Sequence, residues 1–170
     1  MRKWMVFLGC FLLFFTSCST NETRSAKEIA GQYAKDFSFT AAVVTEKDRF
    51  QMEGEKNGMS ITVSVKEPKE LRGLSITWEN EKTKASFEGM EAEFMTEALP
   101  ESAPFRILGK AFSALQNGAF SVKEGENGLS FFGNGFSGVL QAEDLSLLSL
   151  SVPAEKKEFF FSDFKFSEEK

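Results

Sequence analysis

Asn57-Gly58-Met59-Ser60-Ile61-Thr62-Val63-Ser64-Val65 is the stretch that decides the fold. Asn57-Gly58 suits the positive φ angles of a tight hairpin turn. After it, Ile61, Val63 and Val65 alternate with Ser60, Thr62 and Ser64, the period of two that marks a half-buried strand. Upstream, residues 49–55 supply the partner strand, and before them Phe37, Phe39, Ala41 and Val43 alternate with Ser38, Thr40 and Ala42. Downstream, residues 68–73 form a connection, and Leu74, Ile76 and Trp78 then alternate with Ser75, Thr77 and Glu79. Two shorter strands are expected near 84–87 and 90–96.

Outside this run the period changes to that of a helix. At 24–35, Ser25 and Glu28 have capping-box spacing, and Ala26, Ile29, Ala30 and Tyr33 make a narrow apolar stripe. A second helix is expected after Ser102, read as its N-cap, with Pro104 near the first helical position. Phe105, Leu108, Phe112 and Leu115 share one face, widened by Ile107, Ala111 and Ala114, and Asn117-Gly118 ends it. A helix this apolar must cover something apolar. Strands resume at 120–123, at 129–132 after an Asn127-Gly128 turn, at 136–143, at 145–152 and at 157–166. In the fourth of these, Leu148, Leu150 and Val152 alternate with Ser149 and Ser151. The fold class is therefore α+β: about eleven strands in one curled antiparallel sheet, with a concave face for a helix to fill.

One helix before six strands and a second before five more resembles the lipoprotein-carrier fold of LolA and LolB. Two strings carry the resemblance further, to small uncharacterised bacterial lipoproteins of this type. The first runs from Glu67-Pro68 through Leu71-Arg72-Gly73-Leu74 to Leu99-Pro100 and Ala103-Pro104. The second is Leu148-Ser149-Leu150-Ser151-Val152-Pro153 with Phe161-Ser162-Asp163-Phe164. The resemblance spans most of 24–166 and implies an open half-barrel covered by one or two helices, whose apolar hollow accepts acyl chains.

The N-terminus reads as a targeting signal. Arg2 and Lys3 precede an apolar run from Trp4 to Phe15, followed by Thr16, Ser17 and Cys18. The run is too short to cross a hydrocarbon core, which needs roughly 20 residues, so residues 1–17 are read as a removable signal peptide. Phe15-Thr16-Ser17-Cys18 resembles a bacterial lipobox, with Phe15 where Leu is usual. That resemblance implies a diacylglyceryl group, and in many such proteins palmitate, on Cys18. Residues 18–23 are then the lipidated cysteine and its tether, and 24–166 a single domain. Each buried methylene of a lipid contributes about 0.8 kcal/mol, and two chains hold a protein stably. The expected location is the extracytoplasmic face of a cell membrane.

Composition narrows the chemistry. The chain has no histidine, and its only cysteines are Cys10, inside the signal, and Cys18. Ser-His-Asp and Cys-His catalysis are excluded, as are histidine-ligated zinc and a disulfide framework. Of the 20 Lys and Arg, Arg2 and Lys3 leave with the signal, so 18 face 25 Asp and Glu, a net charge of −7. That balance argues against nucleic acid. Gly133-Asn134-Gly135-Phe136-Ser137-Gly138 spells G-x-G-x-x-G, but a dinucleotide fingerprint needs a helix after it, and strand sequence on both sides makes it a hairpin turn. Asn21-Glu22-Thr23 is an accidental glycosylation match in a bacterial chain. Carboxylates such as Glu91 and Glu93 fall on polar strand faces. No enzyme, cofactor or metal is expected.

Phenylalanine is the unusual residue, with 20 in the chain. The candidate lining of an apolar ligand site is Phe37, Phe39, Trp78, Phe87, Phe94, Phe105, Leu108, Phe112, Phe131, Phe159 and Phe161. The same residues would equally make a closed, packed core. Two functions follow: a monomeric lipoprotein that binds or carries a lipid, or another lipoprotein's acyl part, in the hollow; or a non-catalytic envelope module that holds a partner on the sheet exterior.

Overall fold

A computed structural model of the chain describes residues 25–79, 82–125 and 128–167. The signal, Cys18 and its tether lie outside these residues, as do Asn21-Glu22-Thr23 and Asn127. Helix α1 (Ala26–Ala34) is followed by β1 (Phe37–Val44), β2 (Arg49–Asn57), β3 (Ser60–Glu67), β4 (Ser75–Glu79), β5 (Lys82–Phe87) and β6 (Met90–Met95). Helix α2 (Pro104–Asn117) then leads to β7 (Ser121–Gly125), β8 (Gly128–Phe132), β9 (Ser137–Leu140), β10 (Leu147–Val152) and β11 (Lys157–Phe166). Among the described residues these eleven strands make one antiparallel sheet in the order β6-β5-β4-β3-β2-β1-β11-β10-β9-β8-β7.

That order explains the helix in the middle of the sequence. The chain enters at the centre of the sheet and hairpins outward to β6. It crosses to the opposite edge through α2, then hairpins back until β11 pairs with β1. β6 and β7 do not pair with each other, so the sheet stays open and α2 spans between its edges. The β6 edge carries ion pairs on its outer face, Lys82–Glu93 at 2.7 Å and Lys84–Glu91 at 2.8 Å, charges that discourage a further strand from adding there.

Two devices curl the sheet. The first is glycine opposite phenylalanine. Gly54 lies beside Phe39 and Gly138 beside Phe131 across adjacent strands, and each ring lies over the space that a Cβ would take. The second is the bulge, an extra residue that raises local twist. In β11 the register slips between Ser38 and Thr40 of β1, and Asp163 adopts φ +53°. In β10 it slips between Leu147 and Ser149. Leu148 therefore turns outward, against the simple alternation expected of it, and is 37% exposed.

Turn and cap signals held to within a residue, whereas the strand expected at 136–143 ends at Leu140 and that expected at 145–152 begins at Leu147. The Ser25 hydroxyl accepts from the Glu28 N–H at 3.2 Å, capping α1. Asn57 still pairs with Ser60, so the turn centres on Gly58-Met59, with positive φ at Gly58 alone, the type II′ pattern. Likewise Gly128 already pairs with Gly125. The N-cap of α2 is Ala103, without a side-chain cap, and not Ser102. Pro104 at the first helical position needs no donor there, and Gly118 closes the helix in the left-handed region at φ +68°.

Two polar contacts fix α1 on the inner face. Lys56, 5% exposed, donates from Nζ to the Ala34 carbonyl at 2.7 Å and lies 3.7 Å from Asp36, whose carboxylate accepts from the Gly58 N–H. A cation at a helix C-terminus meets the negative end of its dipole. Tyr33, fully buried, donates to the Leu145 carbonyl at 3.0 Å. Burial, and to a lesser extent the Asp144 carboxylate, push the Tyr33 phenol well above its ordinary value of 10.0. A raised folded pKa gives stability that is complete below the unfolded value and is lost as pH rises through the folded one. The fold is therefore expected to lose stability above about pH 10, and Tyr33→Phe to flatten that slope while weakening the fold at neutral pH by about 1–2 kcal/mol. Tyr33 is the chain's one tyrosine, so tyrosinate absorbance reports it alone. Titration of that absorbance near pH 10 without unfolding would contradict this account.

Candidate functional site

The inner face of the sheet, beneath α2, brings most of the candidate residues together. β1 supplies Phe37 and Phe39, β11 supplies Phe159 and Phe161, β4 supplies Trp78, and α2 supplies Leu108 and Phe112; all are buried. The Phe112 ring centre lies 5.1 Å from Phe37, 5.3 Å from Phe39 and 6.4 Å from Phe161. These are contact distances for stacked and edge-on rings. The space between this part of the sheet and α2 is thus occupied by the protein's own side chains. Phe131 is buried further along the sheet, where it meets Phe120 and Phe136. Phe87, Phe94 and Phe105 are half-buried toward the β6 side.

Sequence alternation missed the hub of this cluster. Phe164 contacts Phe37, Phe39, Phe161, Phe166 and Tyr33, at centre distances from 5.2 to 6.4 Å. A strict period of two from Phe159 and Phe161 would place Asp163 inward and Phe164 in water. The β11 bulge at Asp163 resets the phase, so Ser162 and Asp163 both face out and Phe164 faces in. The signal was present as a phenylalanine in the wrong phase, beside an aspartate that could not be buried there.

One polar atom in the hollow is unsatisfied. Trp78 is 7% exposed, its Nε1–H has no partner among the described residues, and its indole lies against Gly109 of α2, where a Cβ would come within 3.2 Å of Nε1. An orphan buried donor costs about 1–3 kcal/mol. The attachment of α2 is also uneven. Arg106 donates to the Glu97 and Leu99 carbonyls and lies 3.5 Å from Glu101, as does Lys110. Among the described residues, no side-chain hydrogen bond or ion pair of α2 reaches the sheet. The helix is held there by apolar contact alone.

The outer face carries an open polar depression of about 470 Å³ at β1, β2, β3 and β11, lined among others by Thr40, Glu53, Glu55, Lys66, Asp163 and Lys165. Lys66 and Glu53 are paired across it at 2.6 Å. Asp163, turned outward at the β11 bulge, is part of its wall.

No protein-family model and no curated protein matches the sequence. Among solved structures, the chain is similar to an uncharacterized conserved protein from Thermus thermophilus, at 11% identity and a TM-score of 0.54, over 86% of this chain and 90% of that one. A LolA superfamily protein from Nitrosomonas europaea matches at 10% identity and a TM-score of 0.44, over 86% and 96% of the two chains. A chain from the complex of the CwlD amidase with the GerS lipoprotein of Clostridioides difficile matches at 17% identity and a TM-score of 0.49, over 78% and 85%. At these identities the likeness is one of fold. The fold itself, an open antiparallel half-barrel with helices on its inner face, is the one expected from the resemblance to lipoprotein carriers.

Proposed function

We propose that the protein is a lipid-anchored, non-catalytic lipoprotein on the extracytoplasmic face of a membrane, and that its half-barrel takes an apolar ligand beneath α2, a lipid or the acyl part of another lipoprotein. The anchor rests on the lipobox-like Phe15-Thr16-Ser17-Cys18. The ligand site rests on one observation: α2 covers the inner face by apolar contact alone, over the unpartnered Trp78 N–H. Among the described residues, lifting α2 breaks no side-chain hydrogen bond to the sheet, and an acyl chain entering there replaces ring contacts with contacts of the same kind. An ester or amide carbonyl on the ligand would satisfy the indole.

A second reading is favoured by the ring packing. Centres 5.1 to 6.4 Å apart around Phe112 describe a filled core, which suits a module that holds its partner on the sheet exterior and carries nothing inside.

One preparation separates the two readings. The full-length chain should incorporate a labelled fatty acid and Cys18→Ser should not; incorporation by both, or by neither, would remove the anchor. A soluble form lacking residues 1–17 and carrying Cys18→Ser is then examined by native mass spectrometry and titrated with a fluorescent fatty acid, with emission of Trp78, its one tryptophan, as reporter. Co-purified lipid and a change in emission are expected. A clean apo mass with no fatty-acid binding would leave the closed-core module as the function.

A further inference from the structure

Charge divides the outer face of the sheet into two halves. On β2 to β6 the outward positions include Arg49, Glu53, Glu55, Lys66, Lys84 and Glu91, all exposed. β8, β9 and β10 contain no Lys, Arg, Asp or Glu at all. Strand register joins their outer positions into one field. Ser130 lies beside Val139, Val139 beside Ser149, Ser149 beside Phe160 and Phe160 beside Ala42. From β8 to β1 this row crosses five strands, about 19 Å at the usual strand spacing. Three large apolar side chains stand in the field: Phe160 is 49% exposed, Phe132 48% and Leu148 37%, the last turned outward by the β10 bulge.

Single exposed apolar residues are ordinary. An uncharged field with aromatic residues standing in it is not, since loss of charge and gain of aromatics mark the centre of a protein interface. The rim shows what kind of surface fits. Glu143 and Asp144 in the β9–β10 connection, Glu155 in the β10–β11 connection, and Glu158 and Asp163 on β11 are exposed at its edges, against Lys123, Lys156 and Lys165, an acidic excess. The chain as a whole carries a net charge of −5. A second copy would bring the same acidic rim, and an anionic bilayer would be repelled by it.

We infer that the outer face of β8 to β11 docks a protein partner with an uncharged apolar contact surface bordered by Lys and Arg. The docking face is independent of whether the hollow takes a ligand, because its side chains point away from α2.

The test places a photoreactive phenylalanine analogue at Phe160 or at Phe132 in the full-length chain, in the cell that makes it, with Lys84 on the charged half as control. The crosslinked protein is identified, purified and titrated with the wild-type chain and with Phe160→Ser. Phe160 is an exposed residue, and thermal unfolding of the variant checks that the fold is intact. Both positions should crosslink one other protein, whose binding weakens at least about tenfold in Phe160→Ser and falls as salt rises. Adducts with a second copy or with lipid would overturn the inference. Crosslinking no stronger than at Lys84, or undiminished binding by Phe160→Ser, would do the same.

Discussion

Phe112→Ala is expected to weaken the fold by about 3–5 kcal/mol, the usual range for deleting a buried ring, and to lower Tm by roughly 10 °C. Phe112 is fully buried and is the ring through which α2 meets β1 and β11 together, touching Phe37, Phe39 and Phe161. The opening of the half-barrel leaves no other strand to close over the gap, so the cavity would not collapse readily. Urea unfolding of the soluble Cys18→Ser form measures the cost, with Leu108→Ala as a companion on the same helix. A cost below about 1 kcal/mol would mean that α2 is loosely seated and that the aromatic cluster stands without it. That outcome would favour a ligand space under the helix over a filled core.

Gly138→Ala is expected to be nearly as damaging, for the opposite reason. A Cβ there meets the Phe131 ring and also lies 2.6 Å from the Ser149 carbonyl oxygen on the neighbouring strand. The three atoms nearest a Cβ at Gly54 all belong to the Phe39 ring, a side chain that can shift further than backbone can. Overpacking costs about 1–3 kcal/mol. Gly138→Ala should fall at the top of that range and Gly54→Ala below it, because backbone cannot move without breaking the β9–β10 ladder. The double variant Phe131→Ala/Gly138→Ala should cost less than the sum of its parts. Additivity within about 0.5 kcal/mol would show that the ring is not what the methyl group meets.

Much of the architecture was legible because it is local. The alternation at Phe37–Val44 and Ser60–Glu67 places Phe37, Phe39, Ile61 and Val63 inward, as found. Pro104 and Gly118 bracket α2 through backbone preferences that belong to those residues alone. The errors are also local and small: a turn centred one residue later, and an N-cap moved from Ser102 to Ala103. Bulges are a different kind of failure. An inserted residue moves all that follows it to the other face. Periodicity thus puts Phe164 in water and Leu148 in the core, the reverse of where the bulges leave them. Lys56 was missed as well, since nothing in Glu55-Lys56-Asn57 announces a lysine that caps a helix more than twenty residues upstream.

By itself, then, the sequence determined that this is a large antiparallel α+β sheet with two helices, no histidine chemistry and a chain rich in phenylalanine. Those properties follow from backbone preferences and composition, which act within a few residues. Tertiary structure alone decided that β6 and β7 stay unpaired with α2 lying between them, and that Phe37, Phe39, Phe112, Phe161 and Phe164 meet ring to ring. It also set Phe160 in an uncharged field, through the pairing of β11 with β1 across more than a hundred residues. The reason is that register between distant strands is fixed by how bulges and glycines let the sheet curl around its own side chains, and no window of neighbouring residues contains that information.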